Sequence, residues 1–216
     1  MNPVNNIIFD FGGVILNIDY KRSLNAFLKL GIQWEDSALE GFNRSDAYIG
    51  LELGNICPEN FFDELRKYFP ESVSNKQLKD AWNAILLDMP PERVELLKKA
   101  SRHYRLFLLS NTNQIHFEKY TRDFKLRYGY DFEDLFEKAY WSFRIHQSKP
   151  NPEIFKYVLE DSCLNAAETL FIDDTLENVL SARNAGLIPY HLNQKDLTDL
   201  FDESGVLKPD LFLENK

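Results

Sequence analysis

The chain has 216 residues, of which 44% are hydrophobic, and a formal net charge of −9. This size allows one large domain or a core with an insertion, while the negative charge argues against a nucleic-acid partner. The sequence lacks the run of about 20 apolar residues needed to span a membrane. Because its two cysteines, Cys57 and Cys163, are widely separated and no signal peptide is recognisable, we expect a cytoplasmic protein with reduced thiols.

The first predicted element is an apolar strand over residues 4–10, which ends at Asp10 and is followed by a Gly12-Gly13 turn. Further strand-like runs cover residues 105–110, 138–141, 169–173 and 188–192. Helical patterns lie between most of them, and Pro91 and Pro152 suit the first positions of two helices. This alternation predicts an α/β fold whose core is a Rossmann-like parallel sheet.

Residues 18–88 have a different pattern, in which apolar side chains recur at helical spacing and no strong strand run interrupts them. Gly31 suits the end of the first of these helices. We therefore expect a core formed by residues 1–17 and 89–216, with an inserted all-helical cap domain over residues 18–88. A cap above the strand ends would act as a lid.

Polar clusters follow the predicted strands at the edge where parallel strands place their chemistry. They are Asp10, the run Ser110-Asn111-Thr112-Asn113, the run Ser148-Lys149-Pro150, and Asp173-Asp174 with Asn178 after it. A doubly wound sheet would bring all four into one crevice. Each cluster alone is ordinary turn or capping chemistry, so the prediction depends on the ordered set.

These residue types suit phosphoryl transfer. A carboxylate such as Asp10 can attack phosphorus and form an aspartyl phosphate. Asp173 or Asp174 could join it in holding Mg²⁺, which prefers hard oxygen ligands. Ser110 and the backbone N–H groups after it can bind phosphate oxygens, and Lys149 can balance the charge of the transferring group.

The whole set resembles the haloacid dehalogenase-like hydrolase superfamily, most of whose members are Mg²⁺-dependent phosphatases. The motifs that carry the resemblance are Ile7-Ile8-Phe9-Asp10-Phe11-Gly12-Gly13-Val14, Leu108-Leu109-Ser110-Asn111-Thr112, Ser148-Lys149-Pro150-Asn151-Pro152 and Phe171-Ile172-Asp173-Asp174. The insertion is similar to the helical cap of the subfamily that includes bacterial α-glucose-1-phosphate phosphatase and the N-terminal phosphatase domain of soluble epoxide hydrolase.

The resemblance implies a role for each matching residue. Asp10 would be the nucleophile and a metal ligand, and Gly12 would offer its carbonyl oxygen to the metal. Asp174 takes the place of the family's metal-binding aspartate, with Asp173 and Asn178 in support. The catalytic and substrate-binding residues beside Asp10 would be Ser110, Asn111 and Lys149.

Gly12 departs from the family pattern, because most family phosphatases have a second aspartate there. That residue protonates the leaving oxygen, a contribution typically worth about 10²–10⁴-fold in rate. The glycine therefore predicts substrates with acidic leaving oxygens, such as anomeric, acyl or aryl phosphates, unless the cap or a water supplies the proton. The candidate donors in the sequence are His116, Asp19 and His146.

We therefore expect a Mg²⁺-dependent phosphatase that acts on a small phosphorylated metabolite, for example a sugar phosphate such as glucose 1-phosphate. One alternative is a 2-haloacid dehalogenase, in which the carboxylate attacks carbon without a metal. Another is a catalytically degenerate binding protein, which Gly12 alone favours. Aromatic side chains in the cap could line a sugar pocket or form the cap's own core; they are Trp34, Phe42, Tyr48 and Trp82. The sequence does not indicate an oligomeric state.

Overall fold

The computed structural model describes residues 4–32 and 45–212. Within them, the sheet consists of β1 (Asn6–Phe9), β2 (Arg105–Ser110), β3 (Lys138–Trp141), β4 (Thr169–Asp173) and β5 (Ile188–His191). All neighbouring strands are parallel, in the order β3-β2-β1-β4-β5. The predicted Rossmann-like parallel sheet is confirmed, and β1 lies at its centre.

Helices separate the strands along the chain. Between β1 and β2 lie α1 (Tyr20–Lys29), α2 (Asp46–Glu52), α3 (Pro58–Arg66), α4 (Asn75–Trp82) and α5 (Pro91–Ala100). The later helices are α6 (Gln114–Tyr128), α7 (Ser142–Ile145), α8 (Pro152–Asp161) and α9 (Leu176–Asn184). Across the described part of the chain, none of the helices has the length and apolar character of a membrane span.

The local signals in the sequence explain most of these boundaries. Pro91 and Pro152 are the first residues of α5 and α8, where a missing N–H costs no hydrogen bond. Gly31 follows the end of α1 with a φ of +79°, a left-handed conformation that glycine adopts without strain. β1 ends at Phe9, so Asp10 lies just beyond the strand rather than inside it.

The apolar side chains form separate clusters for the sheet and for the first four helices. Both faces of the sheet are covered, and central residues such as Ile8 and Phe9 are fully buried. Helices α1, α3 and α4 pack around a cluster that includes Phe27, Phe61 and Trp82. Ile115 of α6 joins this second cluster, so the helical layer packs directly on the core.

The chain leaves and re-enters the sheet layer through two adjacent segments. Asn17 N–H donates to Asp88 O at 2.9 Å, and Leu87 N–H donates to Asn17 O at 3.0 Å. We propose on this basis that residues 18–88 form the cap and that residues 1–17 and 89–216 form the core.

Candidate active site

The ends of three adjacent strands bring the predicted site residues together. Asp10 directly follows β1, and its N–H donates to Ile172 O of β4 at 2.8 Å. Ser110 is the last residue of β2, and Asp173 is the last residue of β4. A cavity of about 410 Å³ lies between this edge and the cap, and Asp10 and Ser110 form part of its wall.

Lys149 is the charged centre of the site. Its side chain is 1% exposed, and its Nζ donates to Asp10 Oδ1 at 2.6 Å and to Asp173 Oδ2 at 2.7 Å. Burial disfavours the ammonium ion, but the charges of the two carboxylates outweigh it and raise the pKa of Lys149. A buried ammonium paired in this way stays charged and is held in one place.

The main chain at Lys149 is fixed by a side chain from the neighbouring strand end. Lys149 N–H donates to Asn111 Oδ1 at 2.9 Å, and Asn111 Nδ2 donates to Lys149 O at 2.8 Å. Asn111 was predicted to bind substrate, yet its side-chain amide is engaged on both atoms by Lys149. Its side chain is therefore a positioning group for Lys149, and a contact with substrate remains a prediction.

Three carboxylates form an acidic cluster beside the lysine. Oxygens of Asp10, Asp173 and Asp174 lie within 4.8 Å of one another. Asp173 is fully buried, and besides Lys149 it accepts hydrogen bonds from Thr175 N–H at 2.8 Å and from Asn178 Nδ2 at 3.1 Å. Its oxygens are therefore already well supplied with donors. Asp174 lies on the cavity wall, where Thr175 Oγ1 is 3.4 Å from its Oδ1.

The cluster holds more negative than positive charge. Burial raises the pKa of Asp10 from 3.8 to about 7 despite the opposing charge of Lys149, and the carboxylates of Asp173 and Asp174 add to the rise. Burial likewise raises the pKa of Asp174, with Asp173 as a second cause. A divalent cation would relieve this repulsion, and carboxylate oxygens are the ligands that Mg²⁺ prefers. The acidic cluster fits a Mg²⁺ site.

The surroundings of Gly12 and Gly13, the two glycines after Asp10, differ in how strictly they require a glycine. Gly13 has a φ of +81°, and a Cβ there would lie 2.1 Å from Asp174 Oδ2. A glycine is thus required if Asp174 is to keep its place. Gly12 lies on the cavity wall, where a Cβ would come 3.3 Å from Ile18 Cδ1. It brings no side-chain proton donor to the site, and its carbonyl as a metal ligand remains a prediction.

The three candidate proton donors from the sequence have other roles in the structure. Asp19 caps α1 by accepting from Lys21 N–H at 2.9 Å. His146 Nδ1 lies 2.8 Å from Leu53 O. His116 does reach the cavity wall, but burial lowers its pKa to about 3, so its imidazole is neutral at pH 7.

The cap aromatics singled out from the sequence lie in different places. Trp82 stacks on the imidazole of His116 with 5.3 Å between ring centroids and belongs to the cap's apolar cluster. Tyr48 lies on the cavity wall, as a sugar pocket would require. Trp34 and Phe42 lie outside the described residues.

Two residues at the site were not predicted from the sequence. Glu52, at the end of α2, lies on the cavity wall. Ser142, at the start of α7, is fully buried, and its Oγ contacts both the N–H and the carbonyl of Thr112. No local sequence signal marks either residue, because both depend on how the cap and the strand ends are brought together.

Comparison with known proteins finds relatives over most of the chain. The family model of haloacid dehalogenase-like hydrolases matches residues 4–186. The chain is 30% identical to D-ribitol-5-phosphate phosphatase from Bacteroides thetaiotaomicron over 183 residues, which is 85% of this chain and 89% of that protein.

Solved structures give the same result. A haloacid dehalogenase family enzyme from Bacteroides thetaiotaomicron, in complex with magnesium and inorganic phosphate, is 36% identical with a TM-score of 0.85, covering 92% of this chain and all of that one (100%). A HAD-like family hydrolase from Porphyromonas gingivalis is 30% identical with a TM-score of 0.81, covering 91% of this chain and 95% of that one. The chain therefore belongs to the haloacid dehalogenase-like hydrolase family.

Proposed function

We propose that this hydrolase is a Mg²⁺-dependent phosphatase that acts on a sugar or polyol phosphate through an aspartyl-phosphate intermediate. The observation that carries the proposal is the contact of Lys149 with both Asp10 and Asp173 at the carboxyl ends of β1 and β4. Family membership and the named activity of the ribitol-phosphate relative support it.

The chemistry assigned to Asp10 follows from its position. A carboxylate oxygen attacks phosphorus, the bond from phosphorus to the leaving oxygen breaks, and the phosphoryl group is carried by Asp10. Water then attacks the phosphorus and releases inorganic phosphate and the carboxylate. The Lys149 ammonium and Ser110 at the end of β2 neutralise and hold the phosphoryl oxygens, which carry most charge in the transition state.

The metal site is assigned to Asp10, Asp174 and the carbonyl of Gly12. Asp173 and Asn178 are assigned supporting roles without contact to the metal. The oxygens of Asp173 already accept hydrogen bonds from Lys149, Thr175 and Asn178. Bound there, Mg²⁺ would neutralise substrate phosphate and offset the repulsion between that phosphate and the carboxylates.

The cavity wall supports a hydroxyl-rich substrate. Tyr20, Tyr48 and Glu52 of the cap lie on the wall of the same cavity as Asp10 and Lys149. Hydroxyl groups of a sugar or polyol can hydrogen-bond to phenol and carboxylate oxygens, which gives orientation and specificity in such a pocket. Ribitol 5-phosphate, suggested by the relative, and glucose 1-phosphate, expected from the sequence, are the first substrates to test.

The two alternatives have less support. A haloacid dehalogenase has no use for a cation, and the excess of carboxylates around a single lysine argues against that chemistry. A degenerate binding protein would not need Asp10 and Lys149 held in contact at 2.6 Å.

A phosphate-release screen tests the proposal. Purified protein is assayed with ribitol 5-phosphate, glucose 1-phosphate, nucleotides and acyl phosphates, with Mg²⁺ and with a chelator, and 2-chloropropionate is tested for halide release. We expect Mg²⁺-dependent release from polyol or sugar phosphates that Asp10→Asn abolishes. Halide release without metal, or phosphate release that survives Asp10→Asn, contradicts the proposal.

A further inference from the structure

Cleavage of a sugar or polyol phosphate expels an oxygen that needs a proton, and the groups around Asp10 do not offer one. Asp10 itself attacks phosphorus, and Lys149 is tied to two carboxylates. Gly12 has no side chain, and His116 is neutral with its Nδ1 3.0 Å from Asn83 Oδ1. The donor is then either a water or a group on another wall of the cavity.

Glu52 is the cap carboxylate that faces this space. It lies on the cavity wall with Asp10 and Lys149, and its side chain is half-buried. Across residues 4–32 and 45–212, its carboxylate has neither a hydrogen-bond donor nor an ion-pair partner. The oxygens of Asp173, in contrast, already accept hydrogen bonds from Lys149, Thr175 and Asn178. The carboxylate of Glu52 remains available to a bound substrate.

Contacts with residues outside the cap fix the backbone at Glu52. Ser142 Oγ lies 2.8 Å from Glu52 O and also 2.8 Å from Thr112 O, two residues beyond Ser110. Just after α2, Gly54 has a φ of +67°, and a Cβ there would lie 2.0 Å from Phe143 O. One hydroxyl and one close backbone approach thus hold Glu52 in register with the loop that follows β2.

We propose that Glu52 is the general acid and base of the reaction, a role that depends on the phosphatase function proposed above. As Asp10 attacks, the bond from phosphorus to the substrate oxygen breaks, its electron pair stays on that oxygen, and the carboxyl proton of Glu52 moves to it. The products of this step are the free alcohol, Glu52 carboxylate and aspartyl phosphate. Water then attacks phosphorus and gives its proton to Glu52, and Asp10 leaves as the carboxylate.

The surroundings of Glu52 suit a group that must carry this proton. Burial raises the pKa of Glu52 above its ordinary value, with Lys149 opposing the shift. An acid with a raised pKa keeps more of its proton near neutral pH and transfers it efficiently. The other titratable groups on the cavity wall are Tyr20, Tyr48, Asp10, Asp174, Glu177 and His116.

The dependence of rate on the leaving group tests the assignment. Glu52→Gln is compared with the wild type on ribitol 5-phosphate, whose alkoxide needs a proton, and on p-nitrophenyl phosphate, whose phenolate does not. We expect the first-turnover rate, at which ribitol or p-nitrophenol is released, to fall by about 100-fold or more on the polyol phosphate and by less than about threefold on the aryl phosphate. Glu64→Gln, on the exposed face of α3, is the matched cap control and should change neither rate.

Three further measurements separate this role from others. The unfolding midpoint and inorganic phosphate binding of Glu52→Gln should match the wild type, and Glu52→Asp should restore part of the loss on the polyol phosphate. An equal loss of the first-turnover rate on both substrates, or a change confined to KM, overturns the assignment, since either result indicates positioning or hydroxyl binding. Activity that survives Asp10→Asn contradicts the proposed function itself and, with it, this role.

Discussion

Gly13→Ala is expected to disturb the metal site far more than the fold. The new Cβ would lie 2.1 Å from Asp174 Oδ2, so the carboxylate must move away. That oxygen is at the end of a side chain, which makes the movement cheap for stability. The left-handed φ of +81° adds about 1–2 kcal/mol for any non-glycine residue. At about 2–4 °C for each kcal/mol, the unfolding midpoint should fall by roughly 2–8 °C.

Gly129→Ala is the matched control for this backbone cost. Gly129 ends α6 with a φ of +82°, and a Cβ there would meet nothing within 4 Å. Both variants should lose similar stability, whereas only Gly13→Ala should lose Mg²⁺ affinity, by at least about tenfold. Isothermal titration calorimetry with Mg²⁺ and urea unfolding provide the two readouts. Unchanged Mg²⁺ binding in Gly13→Ala would refute the placement of Asp174 at the metal.

Three other changes test separate parts of the structure. Partial burial raises the pKa of Asp196, but hydrogen bonds from Arg93 and a nearby threonine bring it down to about 2, below the ordinary 3.8. The ion pair of Asp196 with Arg93 therefore stabilises the fold above about pH 4. This stabilisation is lost as the pH falls toward 2. Asp196→Asn should cost about 1 kcal/mol in urea unfolding at pH 7 and clearly less at pH 3; an equal cost at both would contradict the ion pair. Ser142→Ala removes the hydrogen-bond acceptor of the Thr112 N–H and should lower the free energy of unfolding by about 1–3 kcal/mol, measured by thermal unfolding. A variant as stable as the wild type would show that this hydrogen bond is unimportant. In the Glu52→Gln background, Gly12→Asp should raise kcat most for poor leaving groups, and an equal gain on alkyl and aryl phosphates would show that the removed acid is not the limitation.

The sheet could be predicted from the sequence because its strands are apolar runs with clear ends. The predicted runs at 105–110, 138–141 and 169–173 coincide with β2, β3 and β4. The first run was predicted too long, since β1 covers only Asn6–Phe9. Parallel strands end at one edge, which is why residues as distant in sequence as Asp10 and Lys149 could be expected to meet.

Interactions that depend on three-dimensional contact could not be predicted in this way. Asn111 is a reasonable phosphate ligand by its type, and only the fold shows its amide bound to the backbone of Lys149, 38 residues away. Glu52 is one acidic residue among many in the cap. Its importance depends on tertiary contacts such as the one with Ser142, which lies 90 residues further along the chain.

Detection of the phosphorylated residue tests the central claim most directly. The wild-type protein is mixed with Mg²⁺ and its best phosphate ester, quenched in acid within the first turnover, digested and examined by mass spectrometry. The peptide that contains Asp10 should gain the mass of one phosphoryl group, with fragmentation placing it on Asp10, and the gain should be absent in Asp10→Asn. A phosphoryl group on another residue, or turnover without any modified Asp10 peptide, would contradict the account.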